Sequence, residues 1–168
     1  MNLSKKSRYG LTALIDLSIH STKGHVSLIS IAERNGISPQ YLEHIFASLR
    51  RAGIIKSIKG AQGGYLLGDS PSRITVASII EALDGAYRIE REEVSESENP
   101  RIALTIQNSI IDKINDRLDE VLENTTLADL ESSYKDYEEY NQGVYYIWYI
   151  ISIKSVVIFE ICFKINWG

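Results

Sequence analysis

Apolar positions three and four residues apart run through the first half of the chain. Tyr9, Leu11, Leu14, Ile15, Leu17 and Ile19 give a broad apolar face to a helix predicted from Ser4 to about Ser21. Leu28, Ile31 and Ala32 mark a short second helix, 28–35, capped by Ser27 and ended by Gly36, which suits the left-handed position past a helix end. Tyr41, Leu42, Ile45, Phe46 and Leu49 stripe a third helix. It opens on the cap Ser38 with Pro39 in its first turn, where no N–H is needed, and runs to about Ala52, with Gly53 as its stop. Short strands are then predicted at 54–58 and 65–67. Between them Lys59-Gly60-Ala61-Gln62-Gly63-Gly64 forms a glycine-rich tip flanked by cations.

After a turn at 69–72, Thr75 caps a helix to about Leu83, closed by Gly85. Residues 84–99 hold Glu90, Glu92, Glu93, Glu96 and Glu98 and are predicted to be a mobile acidic linker. The longest helix runs from about Pro100 to Leu122. Ile102, Ile106, Ile110, Ile114, Leu118 and Val121 draw its apolar stripe, supported by Ala103, Ile111 and Leu122. Such a stripe needs a partner surface, either its own domain or a second copy. A second copy is preferred, because a two-fold dimer is how a small helix-turn-helix reads a palindrome. Thr126 caps a last helix to about Tyr137, followed by the aromatic series Tyr140, Tyr145, Tyr146, Trp148 and Tyr149.

These elements give a mainly α fold with a small β-wing: a winged helix-turn-helix over 1–83, a linker over 84–99, and a dimerisation helix with a helical and aromatic segment over 100–150. Residues 151–168 form an apolar extension that alternates with a period of about two, like a strand. Its three charges argue against a membrane anchor. It has no assigned role, as an added strand or as a disordered extension.

Charge sharpens this picture. The net charge of −4 argues against nucleic acid when taken whole. Residues 1–68, however, carry nine Lys/Arg against three Asp/Glu, and the remainder carries nine against nineteen. A basic head on an acidic rear suits a protein whose head meets a polyanion; chance segregation of solvated charge is the alternative. With 44% hydrophobic residues the chain has enough for a core, and its lone Cys162 rules out an internal disulfide framework or a multi-cysteine zinc site. That cysteine usage, with no basic-then-apolar leader at the start, sets the expectation of a cytoplasmic protein.

Affinity for double-stranded DNA is expected from phosphate contacts by Lys5, Lys6, Arg8, Arg50 and Lys56 and by backbone N–H groups at the Ser38 cap. The bland alternative for each cation is a solvated side chain. Base reading falls to Gln40, Glu43 and His44 on the outer face of the third helix. A Glu43 carboxylate there accepts from a cytosine amino group; otherwise it pairs with Arg50 or Lys56. Tyr41 either places its hydroxyl on a phosphate or simply packs. Lys59, Gly60 and Gln62 are positioned for a minor groove, unless the wing is only a tight hairpin. His20, His25 and His44 lack metal-ligand spacing, so no metal is expected. No phosphate-binding loop or nucleophile elbow is present, and the chain is not expected to be an enzyme.

At these residues the chain resembles the IscR/CymR-type winged helix-turn-helix regulators of bacteria. The likeness rests on Leu3-Ser4-Lys5-Lys6-Ser7-Arg8-Tyr9-Gly10, Ile37-Ser38-Pro39-Gln40-Tyr41-Leu42-Glu43, Leu49-Arg50-Arg51-Ala52-Gly53, Gly60-Ala61-Gln62-Gly63-Gly64-Tyr65-Leu66-Leu67-Gly68 and Thr125-Thr126-Leu127-Ala128-Asp129-Leu130, and covers roughly residues 1–150. One branch of that family holds an iron–sulfur cluster on three cysteines before the long helix. Residues 84–115 contain neither Cys nor His, and Glu92, Glu98 and Leu104 stand about where those cysteines are expected. The chain is therefore similar to the cluster-free CymR branch, with no cofactor. That resemblance implies a dimeric repressor of cysteine and sulfur metabolism genes, with cysteine synthase as a partner. The alternative is an interaction module that binds and restrains such an enzyme.

Overall fold

The computed structural model describes residues 3–60, 63–91 and 99–140. Residues up to Glu131 form one compact unit, and the helical residues 132–140 belong to a second. Ala61, Gln62, Cys162, the aromatic residues beyond Tyr140 and the 151–168 extension lie outside the described residues.

Five helices begin where a hydroxyl or amide side chain accepts a first-turn N–H. Ser4 opens α1 (Lys5–His20), Ser27 opens α2 (Leu28–Asn35) and Ser38 opens α3 (Pro39–Arg51). Thr75 opens α4 (Val76–Asp84) and Asn99 opens α5 (Pro100–Ile106). Gly36, at φ 62°, takes the left-handed position that ends α2 and turns the chain into α3. The wing is an antiparallel pair, β1 (Ile55–Ile58) with β2 (Gly64–Leu67), in register Ile55 to Leu67 and Ile58 to Gly64. Val26 pairs with Tyr65 on the other edge of β2, with both N–H groups donating across at 2.8 and 3.0 Å.

The core lies where α1, α2, α3, α4 and the wing meet. Leu14, Leu17, Ile31, Leu42, Ile45, Phe46, Leu49 and Ile79 are fully buried. Each such side chain contributes about 1.5–3 kcal/mol relative to exposure. Phe46 meets Tyr65 edge-on at 4.8 Å, which ties α3 to the wing. Tyr41, expected among the inward residues of α3, is instead 36% exposed. Two glycines permit close approach: a Cβ on Gly68 would fall on the Gly53 carbonyl oxygen, and one on Gly10 would meet the Leu83 side chain.

Two polar joints fix α1. Near its C-terminal end Asp16, 8% exposed, accepts from Arg34 Nε at 2.9 Å, from a second Arg34 nitrogen, and from Asn35 Nδ2 at 2.9 Å. At its N-terminus Asp84 accepts from the Ser4 hydroxyl at 2.6 Å and the Ser7 hydroxyl at 2.7 Å. Lys6 donates to the Leu83 carbonyl at 2.6 Å. The acid thus sits at the positive end of the α1 dipole, and the ammonium at the negative end of α4.

The long helix is interrupted. After α5 comes a π turn, Gln107–Ile111, in which the Asp112 N–H donates to the Gln107 carbonyl, and then α6 (Asp112–Asn124). The stripe divides accordingly. Ile102, Ile106, Ile110, Ile114 and Val121 are 41–59% exposed, and Leu118 is half-buried. Ala103 and Leu122, expected to support that stripe, are buried on the inner side with Gln107 and Asn115.

The expected mobile linker is held down over its described part. Tyr87 is buried and donates to Asp119 at 2.9 Å. Arg88 pairs with Asp119, and Arg91 with Asp112 at 3.2 Å. Asn115 grips Ile89 twice, accepting its N–H at 2.8 Å and donating to its carbonyl at 3.0 Å. Residues 92–98 lie outside the described residues. Past α6, Thr126 and Asp129 cap α7 (127–140) reciprocally, and Leu127 and Val76 exchange backbone hydrogen bonds with Ile74 and Thr125 at 2.8 Å.

Asp16→Ala is expected to cost about 1–3 kcal/mol, because Arg34 and Asn35 lose their acceptor; urea unfolding measures it. A second prediction concerns acid. Burial pushes the Asp84 carboxyl up, but hydrogen bonds from Ser4 and Ser7, aided by Lys6, prevail and hold it below its ordinary 3.8. A carboxyl lowered by folding stabilises fully above its unfolded value and loses that contribution as pH falls through the folded one. Asp84→Asn is therefore expected to be less stable than wild type at neutral pH, with the gap closing below pH 3.8 in a pH series of melts.

Candidate nucleic-acid interface

Three elements carry the residues expected to meet DNA. On α1, Lys5 and Arg8 are exposed, as are Tyr9 and Thr12, so 5, 8, 9 and 12 line one face. Lys6 lies off that face, occupied by the Leu83 carbonyl. Lys6 is expected among the phosphate contacts; its ammonium, which opposes the α1 dipole, is instead taken up by the C-terminal end of α4.

On α3, Gln40, Tyr41, Glu43 and His44 are all exposed over the first two turns, and Arg50 is exposed near the last. The Ser38 hydroxyl accepts the Tyr41 N–H at 3.3 Å. Pro39 has no N–H, which leaves that of Gln40 as the first-turn donor for an outside acceptor. Glu43 makes no ion pair with Arg50 or Lys56, and its carboxylate has no partner among the described residues.

The wing brings the third set. Lys56, Ile58 and Lys59 are exposed, and Gly60 takes φ 131°, a conformation that favours glycine. Gln62 lies outside the described residues. Tyr9 and Tyr41 pack edge-on with ring centroids 5.9 Å apart, which brings the α1 face beside the start of α3. The wing is tied to α3 through Phe46 and Tyr65. The exposed cations and the reading side chains are thus anchored to one core.

Nothing in the described residues resembles a catalytic or metal centre. No group of three His, Cys, Asp or Glu is placed to hold an ion among them. His20 Nδ1–H donates to the Asp16 carbonyl oxygen, 2.8 Å away, within its own helix. Tyr87 is pushed up to about 12, first by burial and then by its bond to Asp119, which suits a structural hydroxyl. Among the described residues no helix is long and apolar enough to cross a membrane. Sequence reasoning missed the buried Gln107 and Asn115. The available signal was a polar residue at inner spacing, Asn115 lying four after Ile111 and seven before Leu122.

Residues 3–132 match the family model described as Rrf2, an iron-dependent transcriptional regulator. The HTH-type transcriptional regulator CymR of Bacillus subtilis is 45% identical over 139 residues, 83% of this chain and 95% of that protein. IscR of Pectobacterium carotovorum is 38% identical, over 77% of this chain and 84% of its own. Among solved structures, that of CymR, titled the global cysteine regulator of B. subtilis, superposes with TM-score 0.68 at 42% identity, covering 79% of this chain and 98% of that one. The IscR structure from T. potens gives 0.62 at 40% identity, over 83% and 90%. These relatives are regulators of transcription, and their winged helix-turn-helix is the fold found here. The chain belongs to the Rrf2 family of transcriptional regulators.

Proposed function

We propose that this regulator is a dimeric repressor of cysteine and sulfur metabolism genes that works without an iron–sulfur cluster. The observation that carries this reading is a pair of complementary surfaces. One is a basic head with Gln40, Glu43 and His44 exposed along one helix. The other is a row of isoleucines, Ile102, Ile106, Ile110 and Ile114, that the chain leaves 41–57% exposed. The row is covered by the same row of a second copy, with Leu118 and Val121 extending the contact. Two heads so joined read a pseudo-palindrome.

Glu43 selects cytosine through its amino group, with Gln40 and His44 beside it. Lys5, Arg8, Arg50 and Lys56 neutralise phosphates, Tyr41 donates to one, and Lys59 and Gln62 enter the minor groove, where Gly60 permits close approach. The likeness to CymR supports the sulfur-gene targets and a cytoplasmic place of action. The absence of Cys and His from 84–115 supports operation without a cluster. Cysteine synthase, which reports sulfur status, is the partner that the CymR-type resemblance suggests. The alternative, a module whose main task is to bind such an enzyme, draws support from Tyr137 and Tyr140, each 72% exposed on α7.

Anisotropy titration on duplexes from sulfur-gene promoters tests the reading. Glu43→Ala is expected to lose about 1–3 kcal/mol of discrimination between operator and scrambled duplex. Lys59→Ala is expected to weaken both alike and lower the salt slope by about one. Sequence-blind and salt-independent binding by the wild type would refute it. Ile114→Glu is expected to give a monomer in sedimentation equilibrium; a dimer surviving that change places the interface elsewhere.

A further inference from the structure

The α1 face of Lys5, Arg8, Tyr9 and Thr12 and the α3 face of Gln40, Tyr41, Glu43 and His44 meet at the two tyrosines. Their rings stand edge to face, with planes at 85°. Tyr9 is 39% exposed and Tyr41 36%. Among the described residues neither hydroxyl has a protein partner. The packing of α1 is carried by Ala13, Leu14 and Leu17, all fully buried. A tyrosine needed only for its ring would do as well as phenylalanine. One that keeps an unpaired hydroxyl at a surface offers a donor to whatever covers that surface.

What covers it, on the reading above, is a sugar–phosphate backbone. Arg8 lies one residue before Tyr9, and Gln40 one before Tyr41, so the pair sits between the α1 cations and the start of the reading helix. We propose that Tyr9 is a DNA backbone contact: its hydroxyl donates to a phosphate beside the one served by Tyr41, and the edge-to-face pair fixes the spacing between the α1 cations and α3 on the duplex. The inference rests on the DNA-reading assignment. It also carries a signature. A neutral donor adds a hydrogen bond without releasing a counterion, so its contribution is independent of salt and of sequence.

The test uses the full chain, a mixed-sequence duplex and a sulfur-gene promoter duplex, with anisotropy titrations across a range of salt. Tyr9→Phe keeps the ring contact and removes only the hydroxyl. It is expected to weaken both duplexes about three- to tenfold at every salt concentration. The salt slope and the thermal midpoint should match wild type. Arg8→Ala in the same series calibrates the slope, which should fall by about one. Wild-type affinity in Tyr9→Phe overturns the role given to Tyr9 and leaves DNA reading intact. A weakening matched by a lower thermal midpoint makes Tyr9 a packing residue and also overturns it. Failure of the wild type to bind either duplex at low salt removes both readings.

Discussion

A carboxylate taken out of water has to be paired, and Asp16 is where this fold meets that demand. It sits in the inner half of α1 and is satisfied only when Arg34 and Asn35, at the end of α2, are brought to it. That requirement sets the angle between α1 and α2. Gly36 then turns the chain at once into α3, whose own stripe locks it against the same core. The direction in which Gln40 and Glu43 point is therefore a consequence of a buried charge two helices away. At the opposite end of α1, Asp84 and Lys6 do the same for α4 through complementary dipole ends.

The head is also coupled to the long helix by polar contacts of unusual regularity. Asp112, Asn115 and Asp119 fall three and four apart on α6 and each holds one part of the 87–91 segment. Asn115 treats the Ile89 peptide as a neighbouring strand would, taking its N–H and returning a donor. The backbone pairing of Ile74 and Val76 with Thr125 and Leu127 closes the loop from the other side. α6 thereby turns one face to its own chain and leaves Ile114 and Val121 exposed on the other.

Most of the head was legible from the sequence because its signals are local. Ser4, Ser27, Ser38 and Thr75 act as caps within a few residues of themselves, and the stripes of α2 and α3 have a clean period. What could not be read was long-range or irregular. Lys6 and Asp84 find each other's helices across nearly eighty positions. The 84–91 stretch looked like a linker because its composition is charged, yet Arg88 and Arg91 pair with carboxylates about thirty and twenty residues on. The exposed face of α3 was foreseen, but not that the edge of Tyr9 would join it, since the α1 pattern alone counts any tyrosine at that spacing as core.

The wide turn at Gln107–Ile111 has a bearing on how this sequence can vary in length. Residues four apart on a regular helix drift around the axis by about 40° per step, so a row at 102, 106, 110 and 114 would spiral away from a flat contact. The π turn absorbs part of that drift. Deleting one residue within it would close it into regular helix with little rotation downstream, whereas deleting Lys113 from the regular helix beyond it would swing everything downstream by about 100°. Ile114 and Val121 would leave the row of Ile102 and Ile106, and Asn115 would lose its hold on Ile89. Insertions and deletions are commonly tolerated in connecting segments; between Pro100 and Asn124 the spacing of residues decides which side chains share a face.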